Sequence, residues 1–189
     1  MGILAQAAAA PGPTPSAGAY DLLETEILTG TAASVTFSSL NSTYGADYQH
    51  LQIRWTARTT STADFDDQIN LTFNSDTGSN YARHWLRGTG SSVTSNAGSS
   101  QSAAWGGWAS SALDTANKFG AGVMDILDPF ETTKYTTARV LTGGAAFGVG
   151  LLSGLWMNTA ALTDITFDGN AGNFVAGCRF SLYGLRKAA

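Results

Sequence analysis

Apolar and polar positions alternate along this chain with a period of two. The clearest run is 48–58, where Leu51, Ile53, Trp55 and Ala57 take one side and Gln52, Arg54, Thr56 and Arg58 the other. In extended chain successive side chains leave on opposite faces, so this run predicts a strand with one dry and one wet face. Ile69, Leu71 and Phe73 repeat the pattern against Gln68, Asn70 and Thr72, and Val35 and Phe37 against Ser34 and Thr36. Leu23, Thr25, Ile27 and Thr29 alternate with Leu22, Glu24, Glu26 and Leu28. Toward the end, Phe174, Ala176, Cys178, Phe180 and Leu182 are expected to share a core face, with Asn173, Gly177, Arg179, Ser181 and Tyr183 opposite.

Clusters of Asn, Asp, Gly and Ser at 74–80, 88–102, 143–144 and 168–172 separate these runs and read as turns and loops. About nine strand candidates result, and no helix-length amphipathic pattern lies between any two of them. Residues 110–117 have room for one short helical turn. Many short strands with turn signals between them predict an antiparallel sandwich or barrel, and a jelly roll fits about eight strands in one domain of this size. The predicted fold is therefore all-β: an antiparallel, jelly-roll-like β-sandwich spanning residues 21–189, preceded by an extended arm over residues 1–20.

Composition supports that reading. Of 189 residues, 43% are hydrophobic, which excludes a disordered chain. Only 13% are charged, while 22 are Gly, 23 Thr and 18 Ser, which excludes a coiled coil or helical bundle. The net charge is −4, and no basic cluster is present of the kind that replaces counterions on nucleic acid. The one cysteine, Cys178, excludes an internal disulfide and a cysteine-based zinc site. It falls on a predicted core face and reads as a small buried apolar residue.

The first residues, M-G-I-L-A-Q-A-A-A-A-P-G-P-T-P-S, are apolar but too short to span a bilayer. No basic residue precedes the apolar run, unlike a secretory signal. Gln6 stands where a myristoylation site has Ser or Thr. Pro11, Pro13 and Pro15 at alternate positions block helix and favour an extended, polyproline-like arm. Fully extended, such an arm reaches roughly 60 Å, and it is the candidate segment for gripping a partner.

Candidate chemistry is sparse. His50 and His84 sit far apart, each in a predicted strand, without a second ligand at metal-binding spacing. No P-loop, G-x-S-x-G, H-E-x-x-H or C-x-x-C occurs. Asp64, Asp66 and Asp67 are expected in one loop and Asp76 in the next turn, either as a solvated cluster or as oxygen ligands for calcium; the spacing is not that of an EF-hand. Asp164 and Asp168 read as strand-end residues, and nothing selects a glycosidase pair. No catalytic residue, cofactor or metal is assigned. The best binding candidates are Trp105 and Trp108 in A-A-W-G-G-W-A, where a large ring has no periodic reason to be. Exposed, they would offer flat apolar faces to a sugar or a partner protein; otherwise they cover the end of the sandwich or a subunit seam. Trp55, Trp85 and Trp156 fall in strand patterns and are expected in the core.

Five segments carry a resemblance: D-Y-Q-H-L-Q-I-R at 47–54, F-N-S-D-T-G-S-N-Y at 73–81, I-L-D-P-F at 126–130, S-G-L-W-M-N-T-A-A-L-T-D-I-T-F at 153–167 and R-F-S-L-Y-G at 179–184. Together they resemble a family of small virion structural proteins of tailed bacteriophages, found as head-decoration, head-fibre or tail-fibre components. The resemblance spans roughly residues 20–185. It implies a homotrimeric β-sandwich on the exterior of the phage particle and supplies no catalytic residues; no enzymatic activity is expected. The expected function is a capsid decoration (cement) protein that binds the major capsid protein at three-fold positions and stabilises the head. The alternative is a head-fibre or tail-fibre module that recognises host surface glycan. Neither nucleic acid nor membrane is an expected partner.

Overall fold

A computed structural model describes residues 20–187; most of the predicted arm, including Pro11, Pro13 and Pro15, lies outside the described residues. Twelve strands follow in order: β1 (Asp21–Ile27), β2 (Ser34–Phe37), β3 (Tyr48–Ala57), β4 (Asp66–Phe73), β5 (Tyr81–Gly88) and β6 (Val93–Gln101), then β7 (Ala104–Ser110), β8 (Gly120–Leu127), β9 (Thr136–Gly144), β10 (Gly148–Trp156), β11 (Ile165–Gly169) and β12 (Arg179–Arg186). One short helix, α1 (Leu40–Tyr44), lies between β2 and β3.

Two antiparallel sheets form a sandwich. One has eight strands in the order β1-β12-β3-β8-β9-β10-β5-β6, the other four in the order β2-β11-β4-β7. The quartets β1-β12-β3-β8 and β2-β11-β4-β7 have the interleaved order of a jelly roll, since the chain crosses between sheets at every connection from β1 to β5, at β6–β7–β8 and at β10–β11–β12. Strands β9, β10, β5 and β6 extend the larger sheet beyond β8. The chain is thus an eight-stranded jelly-roll body with a four-stranded extension on one edge.

The alternation explains the body. Leu51, Ile53 and Trp55 of β3 and Phe180 and Leu182 of β12 turn inward and are buried. Against them stand Ile69, Leu71 and Phe73 of β4, Ile165 and Phe167 of β11, and Val35 and Phe37 of β2. Phe180 meets Phe167 and Phe174 with ring centroids 5.3 and 5.1 Å away, the spacing of interlocking aromatic pairs. Tyr81 is also fully buried, and burial pushes its phenol up to about 12. Its hydroxyl accepts from the Phe73 amide and donates to the Asp76 carbonyl, closing the turn at 74–80.

Several local expectations are corrected. Ser110 closes β7 and residues 111–117 run in turns, and among the described residues the one helix is α1. The stretch 88–102 is largely strand β6, not loop; as an exposed edge strand it carries polar residues on both faces and gives no alternating signal. The core face predicted from Phe174 to Leu182 is interrupted at Gly177, whose φ of +88° turns the chain. Phe174 and Cys178 remain buried, but Ala176 is exposed. Cys178 is held by Arg58, accepting from its amide at 3.3 Å and donating to its carbonyl at 3.2 Å.

Candidate functional site

Trp105 and Trp108 lie within β7 and are only 8% and 6% exposed, so the expected exposed rings are corrected to buried ones. The missing periodicity has a local cause. The β4–β7 register shifts between Ile69 and Asn70, and Gly107 sits there with φ +123°. A bulge adds one residue to a strand, so side chains three apart can point the same way. Both indoles then reach beneath the extension. Trp85 of β5 stands edge-on to Trp108 at 5.7 Å and tilted to Trp105 at 6.3 Å, and Phe147 lies 6.4 Å from Trp108. Gly150 of β10 has no room for a side chain, because a methyl group there would overlap the Trp108 ring.

Two arginines complete this aromatic wedge. Arg83 lies 3.9 Å over the Trp105 ring, and Arg87 lies 5.3 Å from the Trp108 ring. Arg87 also makes a two-pronged pair with Asp66, both bonds at 3.1 Å, and donates to the Phe147 carbonyl at 2.9 Å. The wedge joins the extension to the body, and Trp105 and Trp108 present no open indole face, while Trp85 stays partly exposed.

The acidic candidates are likewise tied into the fold. Asp66 and Asp67 belong to β4, not to a loop. Asp67 is buried, accepts from the Ala171 amide at 3.0 Å, and its carboxyl is raised above the usual range chiefly by burial. Asp76 accepts from Asn80, the Trp156 indole and the Gly78 amide, and these bonds hold its carboxyl below the usual range. Asp164 accepts from Ser75, and Asp168 from Asn70. Among the described residues no three His, Cys, Asp or Glu side chains converge as a metal would require. His50, half-buried in β3, accepts the Asp128 amide at 3.0 Å; His84 in β5 is exposed. Trp55 and Trp156 are buried as expected, and Trp85 is partly so.

The most distinctive surface is the outer face of the eight-stranded sheet, which sequence reasoning passed over. Strand register sorts it into rows of side chains. One row runs Thr56, Ala121, Gly143, Val149, Gly88, Val93 from β3 to β6. The next runs Arg54, Val123, Leu141, Leu151, Leu86, Ser95. The third runs Gln52, Asp125, Arg139, Ser153, His84, Ala97. Over β12 and β3 the face is polar and internally bonded. Arg54 donates to Gln52 at 2.8 Å, Gln52 donates to Asp125 at 2.8 Å, and the Arg54 guanidinium covers the Tyr183 ring at 4.7 Å and the Tyr20 ring at 5.5 Å. Over β8, β9, β10, β5 and β6 the first two rows carry no charge. There Leu86, Val93, Leu141, Val149 and Leu151 stand 47–73% exposed. Shallow hollows of about 390 Å³ and 250 Å³ open between them, one beside Gly143 and one over Gly88.

No family model and no curated protein matches this chain. Among solved structures, an alginate lyase in complex with an alginate tetrasaccharide is similar over 87% of this chain and 81% of that one, at 9% identity and a TM-score of 0.30. At that TM-score the likeness carries no argument about fold or activity.

Proposed function

We propose that the chain is a structural protein of a bacteriophage virion, a capsid decoration protein that binds the major capsid protein on the outer surface and stabilises the head. The observation that carries this reading is where the candidate chemistry goes. Asp66, Asp76, Asp164 and Asp168 accept internal hydrogen bonds, Asp67 accepts the Ala171 amide on one carboxylate oxygen, and the two candidate indoles are packed into the wedge. What the body offers its surroundings is broad sheet surface, which suits gripping.

The segments that carry the family resemblance support the same reading, because they are neighbours in space. Segment 47–54 pairs with 179–184 across β3 and β12. Segment 73–81 is bonded to 153–167 through Trp156 and Asp76 and through Thr163 and Asn74. Segment 126–130 joins both, through His50 and through the Leu162 amide on the Pro129 carbonyl. They form one framework of the body. The Tyr20 ring lies against the Arg54 guanidinium on the outer face, and the arm over residues 1–20 is the proposed anchoring segment.

Absolute quantification of purified particles by mass spectrometry tests the proposal. A decoration protein is expected in hundreds of copies per particle, and particles lacking it should release their genome at lower temperature. A few copies per particle, with adsorption blocked by antibody, would replace it with the fibre-type receptor-binding module. Deleting residues 2–19 should lower occupancy on the capsid; unchanged occupancy removes the anchoring role of the arm.

A further inference from the structure

We infer that the apolar half of the outer face is a self-association surface, on which a second copy of this chain packs face to face about a two-fold axis. The inference does not depend on the virion reading, since it concerns the isolated protein.

Three observations select a second copy as the occupant. The first is charge. At a two-fold contact the same surface meets itself, so a like charge would face its own image. The molecule is net −4, yet the two rows from Ala121 to Val93 and from Val123 to Ser95 carry no charged side chain. The charged residues of the third row, Asp125 and Arg139, sit 3.6 Å from each other and neutralise one another.

The second is area. Five strands at about 4.8 Å spacing and three rows at about 6.8 Å, the Asp125–Arg139 row included, make a flat footprint on the order of 500 Å². A two-fold contact over that footprint covers about 1,000 Å² on the two copies together, the lower bound for a specific interface.

The third is relief. Leu141, Leu151 and Leu86 form a continuous ridge along one row. In the adjacent row Gly143 and Gly88 leave hollows on either side of Val149. A ridge beside a row of hollows is self-complementary when two copies meet at the sheet-on-sheet distance of about 10 Å.

Sedimentation velocity of the full chain from low to high micromolar concentration tests this. The wild-type protein is expected to sediment as a dimer. Leu151→Glu, which places a carboxylate at the centre of the face, should weaken association at least 10-fold; Val149→Lys is a second variant of the same face, read if the first fails to fold. Both side chains point to solvent, so thermal unfolding of the variant monomers should match wild type. Thr56→Glu, on the polar half of the same face, should leave the dimer intact. A wild-type monomer at every concentration overturns the inference, as does a dimer insensitive to both variants. Loss of association on deleting residues 2–19 hands the face to the arm instead and also overturns it. A trimer overturns the two-fold arrangement and restores the three-fold assembly that the family resemblance implies.

Discussion

The two halves of the eight-stranded sheet solve the same covering problem in different ways. Over β1, β12 and β3 the inner face is dry and the outer face wet, as an antiparallel sheet with one solvated side requires. The four-stranded sheet covers the inner face with Ile69, Leu71, Phe73 and Phe167, and the Gln52, Arg54 and Tyr183 network dresses the outer one. Over β9, β10, β5 and β6 the smaller sheet has run out. Strand β7 reaches beneath these strands through two indoles, and β4 touches them through Phe73 on Trp156 and Tyr81 and through Asp66 on Arg87, while the outer face keeps its leucines and valines in the open. Even the edges differ. Edge strand β1 carries Asp21, Glu24 and Glu26, whereas edge strand β6 carries no charge at all. Charged edges deter pairing with other chains, so the β1 edge carries a protection that the β6 edge lacks.

This contrast can be broken or sharpened by substitution. The largest effect is expected for Phe180→Ala in the body, where the side chain is fully buried between Phe167 and Phe174. The loss should be about 3–5 kcal/mol by equilibrium denaturation, from lost transfer energy and the cavity left behind. Trp108→Ala should cost about 3 kcal/mol, at the low end for a large aromatic, and the loss should be local. Hydrogen exchange of β5 and β10 amides is expected to accelerate before that of β3 and β12. A uniform acceleration would mean that the wedge and the body are one cooperative unit, and the distinction drawn above would fail.

Arg87→Met keeps the side-chain stem but strands the mostly buried Asp66 carboxylate and the Phe147 carbonyl. A loss of about 1–3 kcal/mol is expected, the range for hydrogen bonds to charged groups. The smallest effect, and the one with a pH signature, is at Asp76. Its carboxyl is held below the usual range by Asn80, Trp156 and Gly78, so the carboxylate stabilises the fold above the unfolded value of about 3.9. That contribution is lost as pH falls through the lower folded value. Asp76→Asn should therefore be less stable than wild type at neutral pH, with the gap closing in acid. Asp67 runs the other way. Burial raises its carboxyl, so its cost appears as pH rises, and Asp67→Asn should gain stability at neutral pH and show no gain below about pH 4. Thermal scans across pH check both signs.

How much was legible depended on whether a strand kept its phase. Strand β3 was visible residue by residue, because Leu51, Ile53 and Trp55 alternate with Gln52, Arg54 and Thr56 without interruption. Strand β7 was invisible for the opposite reason: the bulge at Gly107 breaks the period, and Trp105 and Trp108 had no periodic place. Strand β6 was missed because an edge strand exposed on both faces has no apolar side to reveal it. The site was less legible still. Leu86, Leu141 and Leu151 come from three separated strands, and each alone looks like an ordinary strand residue.

Periodicity and composition alone determined an all-β chain in two sheets, with the body core in place, because alternation is a local property that each strand carries with it. Which strands pair is not local. The join of an extension to the body, the burial of two tryptophans beneath it and the gathering of scattered leucines into one uncharged face were decided by register and sheet order. Those depend on contacts between residues far apart in the chain, and only the tertiary structure contains them.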